Sequence, residues 1–114
     1  MRVGVLRIDL HIPLAGSLKG KRQVLRSLKD RLFARFNVSV AEVGSQDLWQ
    51  RAQLGIAHVS LDAQGADSAL RKIEDFVRHH PGSILLAVER EVLEFDGEQQ
   101  WEGWSDSAED EPPP

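Results

Sequence analysis

The chain has 114 residues, of which 41% are hydrophobic and 28% charged, the composition of a soluble globular domain with room for one core. It has no cysteine, no apolar run near the roughly 20 residues that cross a bilayer, and in MRVGVLRIDLHI an alternation where a signal peptide carries a continuous apolar core; disulfides, thiolate metal sites and cysteine nucleophiles are excluded, and a cytoplasmic protein is expected. The net charge of −4 is unevenly divided: residues 94–114 hold eight acids and no Lys or Arg, leaving 14 bases against 10 acids in residues 1–93.

Leu6, Ile8, Leu10 and Ile12 alternate with Arg7, Asp9 and His11, which predicts a strand with one buried face. Pro13 and Gly16 end it, and Ser17 is placed to cap a helix. Val24, Leu25, Leu28, Leu32 and Phe36 then recur at helical spacing, predicting an amphipathic helix over about residues 17–36, with Gly20 weakening its first turn. Residues 37–44 (NVSVAEVG) read as a second strand and 53–61 (QLGIAHVSL) as a third, joined by a polar connection. A second helix follows through Ala66, Leu70, Ile73 and Val77 and stops at Pro81-Gly82. Residues 84–95 make the fourth strand. Beyond it the composition cannot build a core, so residues 1–95 are expected to form one domain and 96–114 an acidic, flexible tail.

The order β-α-β-β-α-β, with right-handed crossovers and pairing of consecutive strands, predicts an α+β ferredoxin-like sandwich. That is a four-stranded antiparallel sheet with two helices on one face and the other face open.

Three motifs carry a resemblance: Leu18-Lys19-x-Lys21-Arg22, Phe36-Asn37-x-Ser39-x-x-Glu42 and Gln46-Asp47-x-Trp49-Gln50. In this order, over roughly residues 1–95, the chain resembles the YlxP-like family of small bacterial proteins of unknown function. The resemblance implies a ferredoxin-like fold. Members are often encoded beside translation initiation factor two and ribosome-binding factor A, which implies a role near ribosome assembly. The family supplies no catalytic residues to carry over.

The residues themselves point to an anion surface. Lys19, Lys21, Arg22, Arg26, Lys29, Arg31 and Arg35 face a single acid, Asp30, within residues 19–35. At 100° per residue, Arg22, Arg26 and Lys29 share a side of the helix, and Phe33 falls within that stripe. RNA binding uses this mixture, cations for phosphates and a flat ring for an unstacked base. The turn from Gly16 into the helix adds Ser17, Lys19 and Lys21 as a phosphate-binding candidate, since free amides and the dipole favour an anion there, although the spacing is not that of a Walker loop. A solvated helix face with a capped turn is the bland alternative.

On alternation with Val59 and Leu61, His58 is expected on the open face with His11, where the pair builds a polar cluster rather than a metal site. His79-His80 reads as a helix C-cap. Trp49, with Asp47 beside it, is either a partner's anchor or an indole closing the core, and the second reading is preferred. Trp101 and Trp104, among the tail's acids, suggest a segment that competes with RNA for the basic helix, the alternative being a solubilising extension. No cofactor or metal is expected. The overall expectation is a non-enzymatic RNA- or ribosome-associated accessory protein, homodimeric and not membrane-bound. The alternatives are a structural homodimer that buries Val3, Val5, Leu54 and Ile56 between chains, a small-phosphate binder, or an acylphosphatase-like hydrolase for which the chain lacks the anion loop.

Overall fold

The computed structural model describes residues 1–96. Its elements are β1 (Arg2–His11), α1 (Leu18–Arg35), β2 (Ser39–Gly44), β3 (Arg51–Ser60), α2 (Ala63–Arg78) and β4 (Ile84–Glu94). The strands form one sheet in the order β2-β3-β1-β4, with every neighbouring pair antiparallel. This is the ferredoxin-like topology.

The element ends follow local chemistry. Ser17 caps α1: its hydroxyl oxygen accepts from the Gly20 amide at 3.0 Å, which secures the first turn despite the glycine. Asp62 does the same for α2, accepting from Gly65 at 2.7 Å, so that helix begins at Ala63, ahead of its apolar periodicity. β1 starts at Arg2 because Val3 and Val5 pair with Val59 and Ala57 of β3. His79 closes α2 with its backbone amide on the Asp75 carbonyl and its Nδ1 on the same oxygen at 2.8 Å, the C-cap foreseen for it.

One core lies between the sheet and the helices. Leu6, Ile8 and Leu10 of β1 and Ile12 just beyond it meet Leu25, Leu28 and Leu32 of α1 and Leu70, Ile73 and Val77 of α2, all at most 3% exposed. α2 crosses close over β1 at Gly4, where a Cβ would approach the Leu70 side chain to 2.9 Å; any larger residue there forces that side chain to move.

β3 corrects one expectation. Leu54 pairs with Ile8 and Ile56 with Leu6, so these two residues point at the helices and are buried. Val59 and Leu61 are 55% and 87% exposed. Leu54 and Ile56 are therefore core residues and do not lie between chains. His58 pairs with Gly4 on the helix side, where its Nδ1 lies 2.8 Å from the Asn37 carbonyl. His11 stays on the other face, against the Gln50 carbonyl, so the expected histidine cluster does not form. The cause is a one-residue change of parity, which exchanges the two faces of a strand.

Arg2 donates to Asp96 at 2.8 Å, and the Phe95 amide to the Met1 carbonyl, so the body continues to Asp96. Residues 97–114, with Trp101 and Trp104, lie outside the described residues. No helix among the described residues is long and apolar enough to cross a membrane.

Candidate nucleic-acid interface

Two parallel stripes run along α1, one residue out of phase. The first is 21-25-28-32 and the second 22-26-29-33, each at the i, i+4, i+7, i+11 spacing that stacks side chains on one helix face. The first stripe is buried. The second lines an open groove of about 350 Å³, formed by Arg22, Arg26, Lys29 and Phe33 with Leu25, Asp30 and Glu42. Glu42 comes from β2, so the groove lies between α1 and the edge strand of the sheet. Phe33 is 51% exposed, a ring kept in water beside three cations.

The structure sorts the other bases of this segment. Lys21, foreseen as an anion ligand, is 1% exposed because it occupies the apolar stripe. Its ammonium donates to Glu42 Oε2 at 2.8 Å and to the carbonyls of Ser45, Gln46 and Arg51 at 2.9–3.2 Å, so it is not available to a ligand. The Ser17 hydroxyl oxygen already caps the Gly20 amide, which removes both from a phosphate nest. Lys19 is exposed in the first turn but does not line the groove. The Arg35 guanidinium lies 5.2 Å over the Phe76 ring, and Arg31 stands near buried His80, whose pKa burial and that guanidinium lower.

Arg22, Arg26 and Lys29 make no salt bridge with any described residue, whereas on α2 Arg71 pairs with Asp67 and Arg78 with Glu74 at i, i+4. Of the two acids in the groove, Glu42 is already neutralised by Lys21. The groove therefore sets three unpaired cations against one remaining carboxylate, Asp30, with a half-exposed ring among them.

The Lys21 network is the feature missed in sequence. Its signal is present there: a lysine four, seven and eleven residues before Leu25, Leu28 and Leu32 stands on the buried stripe and must find acceptors. The network joins the three motifs of the family resemblance, because Lys21, Glu42 and the Gln46 carbonyl meet at one ammonium. Trp49 does not join it. The indole is 54% exposed and makes no hydrogen bond with a described residue, so it does not close the core. Asp47 is exposed beside it.

Fold and surface define the class, a ferredoxin-like domain with an open sheet face and a cationic groove on its first helix. Within that class the chain belongs to the DUF503 family of proteins of unknown function, whose model matches residues 3–90. It is 39% identical over 79 residues to the uncharacterized protein YlxP of Bacillus subtilis (strain 168), which covers 69% of this chain and 86% of that protein. A de novo designed protein with a ferredoxin fold, solved by solution NMR, is 14% identical and covers 87% of this chain and 91% of its own, with a TM-score of 0.39. The fold assignment rests on the sheet order given above.

Proposed function

We propose that this protein is a non-enzymatic RNA-binding accessory protein, acting in the cytoplasm on RNA or a ribosomal particle, and that it binds through the α1 groove. The observation that carries the reading is the unpaired state of Arg22, Arg26 and Lys29 around a groove that also holds an exposed Phe33. Cations placed only for solubility need no such ring, and two of the three on α2, Arg71 and Arg78, are neutralised along their own helix. Phosphates would sit on the guanidinium and ammonium groups, and Phe33 would take a base face. The cradle is shallow and open, so binding is weak, sequence-tolerant and salt-dependent.

Filter binding to total ribosomal RNA tests it. Arg22→Glu with Arg26→Glu should weaken binding and lower the salt slope by about 1.4, as expected for two lost single-strand phosphate contacts. Equal affinity and slope in both proteins sink the reading.

The same protein is read as a homodimer. Val59, Val3 and Leu93 lie side by side across β3, β1 and β4 on the face away from the helices, with Val59 55% and Leu93 39% exposed. Further along that face Arg7 pairs with Glu89, and Gln53 donates to Asp9, so a polar middle separates this end from exposed Ile84 opposite His11. A second copy covering that end gives sedimentation at twice 12.8 kDa at micromolar concentration, and Val59→Glu should return the monomer. A wild-type mass near 12.8 kDa removes the dimer without touching the groove.

A further inference from the structure

We infer that Trp49 is a second base-stacking platform of the same RNA site, held out by the Lys21 network at the end of the groove opposite Phe33. The inference rests on the RNA reading above and adds to it a place where the strand leaves the groove.

The connection between β2 and β3 is a short loop tied down at both ends. At its start, the Ser45 and Gln46 carbonyls sit on the Lys21 ammonium, and the Leu48 amide closes a turn onto the Ser45 oxygen at 3.1 Å. At its end, the Arg51 carbonyl returns to the same ammonium. Gln50 donates its side-chain amide to the Pro13 and Ala15 carbonyls, and its own carbonyl accepts from Ile12 at 2.8 Å. The side chains of Asp47, Leu48 and Trp49 are left exposed, as are those of Gln46 and Arg51, but of these only Trp49 carries an aromatic ring. Nothing in the stability of the domain requires a tryptophan there. A ring on a loop already ordered by its neighbours loses little entropy when a ligand packs on it.

The loop is also placed to extend the groove. Lys21 links it to Glu42, which lines the groove, and Arg22, the first cation of the stripe, is the next residue. From Arg22 to Phe33 the helix rises about 16 Å at 1.5 Å per residue, room for about five phosphates at the stacked spacing of about 3.4 Å. A single strand lying on Phe33 at one end passes the three cations and leaves the groove toward the loop that Lys21 holds, where Trp49 stands. A trinucleotide is too short to touch both rings, and a decanucleotide spans them.

The probe is decauridylate, and the protein is the full chain with Trp101→Phe and Trp104→Phe, so that Trp49 alone fluoresces. Decauridylate should quench Trp49 with the midpoint seen in filter binding, and triuridylate should bind more weakly. Trp49→Ala should weaken decauridylate binding about five- to a hundred-fold, the range of one lost stacking contact. Trp49→Phe should recover most of the loss and Trp49→Leu should not, because leucine keeps the apolar area without the flat face. Circular dichroism should show every variant folded, since the indole is half in water. If Arg22→Glu with Arg26→Glu leaves binding unchanged, the RNA reading itself fails. If that double variant weakens binding while Trp49 shows no quenching and Trp49→Ala binds normally, only the present inference fails. It fails too if Trp49→Leu binds like the wild type, or if Trp49→Ala changes the sedimenting mass and leaves RNA affinity intact, for then the indole is a protein contact.

Discussion

Lys21 shows how one buried charge organises a small domain. A lysine ammonium carries three protons, and here four oxygens surround it, one of them a carboxylate. Three of the four belong to residues 45–51, where Ser45 adopts a left-handed φ of 59° that costs a non-glycine residue about 1–2 kcal/mol. The ammonium holds the Ser45 carbonyl in that conformation. Lys21→Met should lower unfolding free energy by about 3 kcal/mol, the low end for a broken buried pair because Glu42 keeps a fifth of its surface in water. The check is a lower urea midpoint at unchanged m-value. Glu42→Gln should cost roughly half as much, since the three carbonyls and the amide oxygen still receive the ammonium. His80 is the second buried polar residue. It is 6% exposed, and its Nδ1 and the Ser83 hydroxyl both lack partners among the described residues. Burial first, and the Arg31 charge second, lower its pKa from 6.5. The unfolded chain then takes up the proton more readily than the folded one, so the contribution of neutral His80 is complete above pH 6.5 and is lost as pH falls toward the lowered value. The stability difference between wild type and His80→Leu should shift against the wild type between pH 7 and pH 5. A difference independent of pH over that range contradicts this account.

At the scale of the element, α1 and α2 solve the same problem differently. Both bury one stripe against the sheet, leucines on α1 and Ala66, Leu70, Ile73 and Val77 on α2. α2 pairs two of its three cations internally, Asp67–Arg71 and Glu74–Arg78 at one-turn spacing, pairs worth about 0.3–0.5 kcal/mol each. α1 leaves Arg22, Arg26 and Lys29 unbalanced and sets Phe33 among them. Its function then separates from its stability. Phe33→Ala removes a half-exposed ring, so its unfolding midpoint should stay close to the wild type, while affinity for ribosomal RNA should fall about fivefold or more. Arg71→Glu on α2, with the same charge change as Arg22→Glu on α1, should alter RNA binding only through the general field. Comparable losses from Arg22→Glu and Arg71→Glu, with none from Phe33→Ala, would mean that binding follows net charge and not the groove. The stripe at 22-26-29-33 is legible in sequence because helical periodicity is local. The groove's other wall is not, because Glu42 arrives from β2 and only the packing of α1 beside the edge strand brings it there.

For the whole molecule the governing quantity is the division of charge. Deleting residues 97–114 removes six acids and changes the net charge from −4 to +2. Affinity for ribosomal RNA should rise at low salt, and the gain should shrink as the Debye length contracts to about 8 Å near 0.15 M; parallel filter-binding curves at two salt concentrations measure it. A gain that persists at high salt, and that Trp101→Ala with Trp104→Ala reproduces, would identify the segment as a direct competitor instead of a source of field. The fold itself was within reach of the sequence. Period-two and period-3.6 patterns are properties of consecutive residues, and six elements in the order β-α-β-β-α-β leave few topologies once crossovers are right-handed. Three decisions belonged to the tertiary structure. β3 has apolar residues at both parities, Leu54 and Ile56 against Val59 and Leu61, and only its register with β1 selects the buried face. Lys21 reads as one cation among seven until four oxygens from distant residues close around it. Trp49 reads as core material until the loop that carries it is tied down from both ends with its indole outside. In each case local sequence allows two environments, and the choice is made by partners more than 20 residues away, whose positions no local pattern encodes.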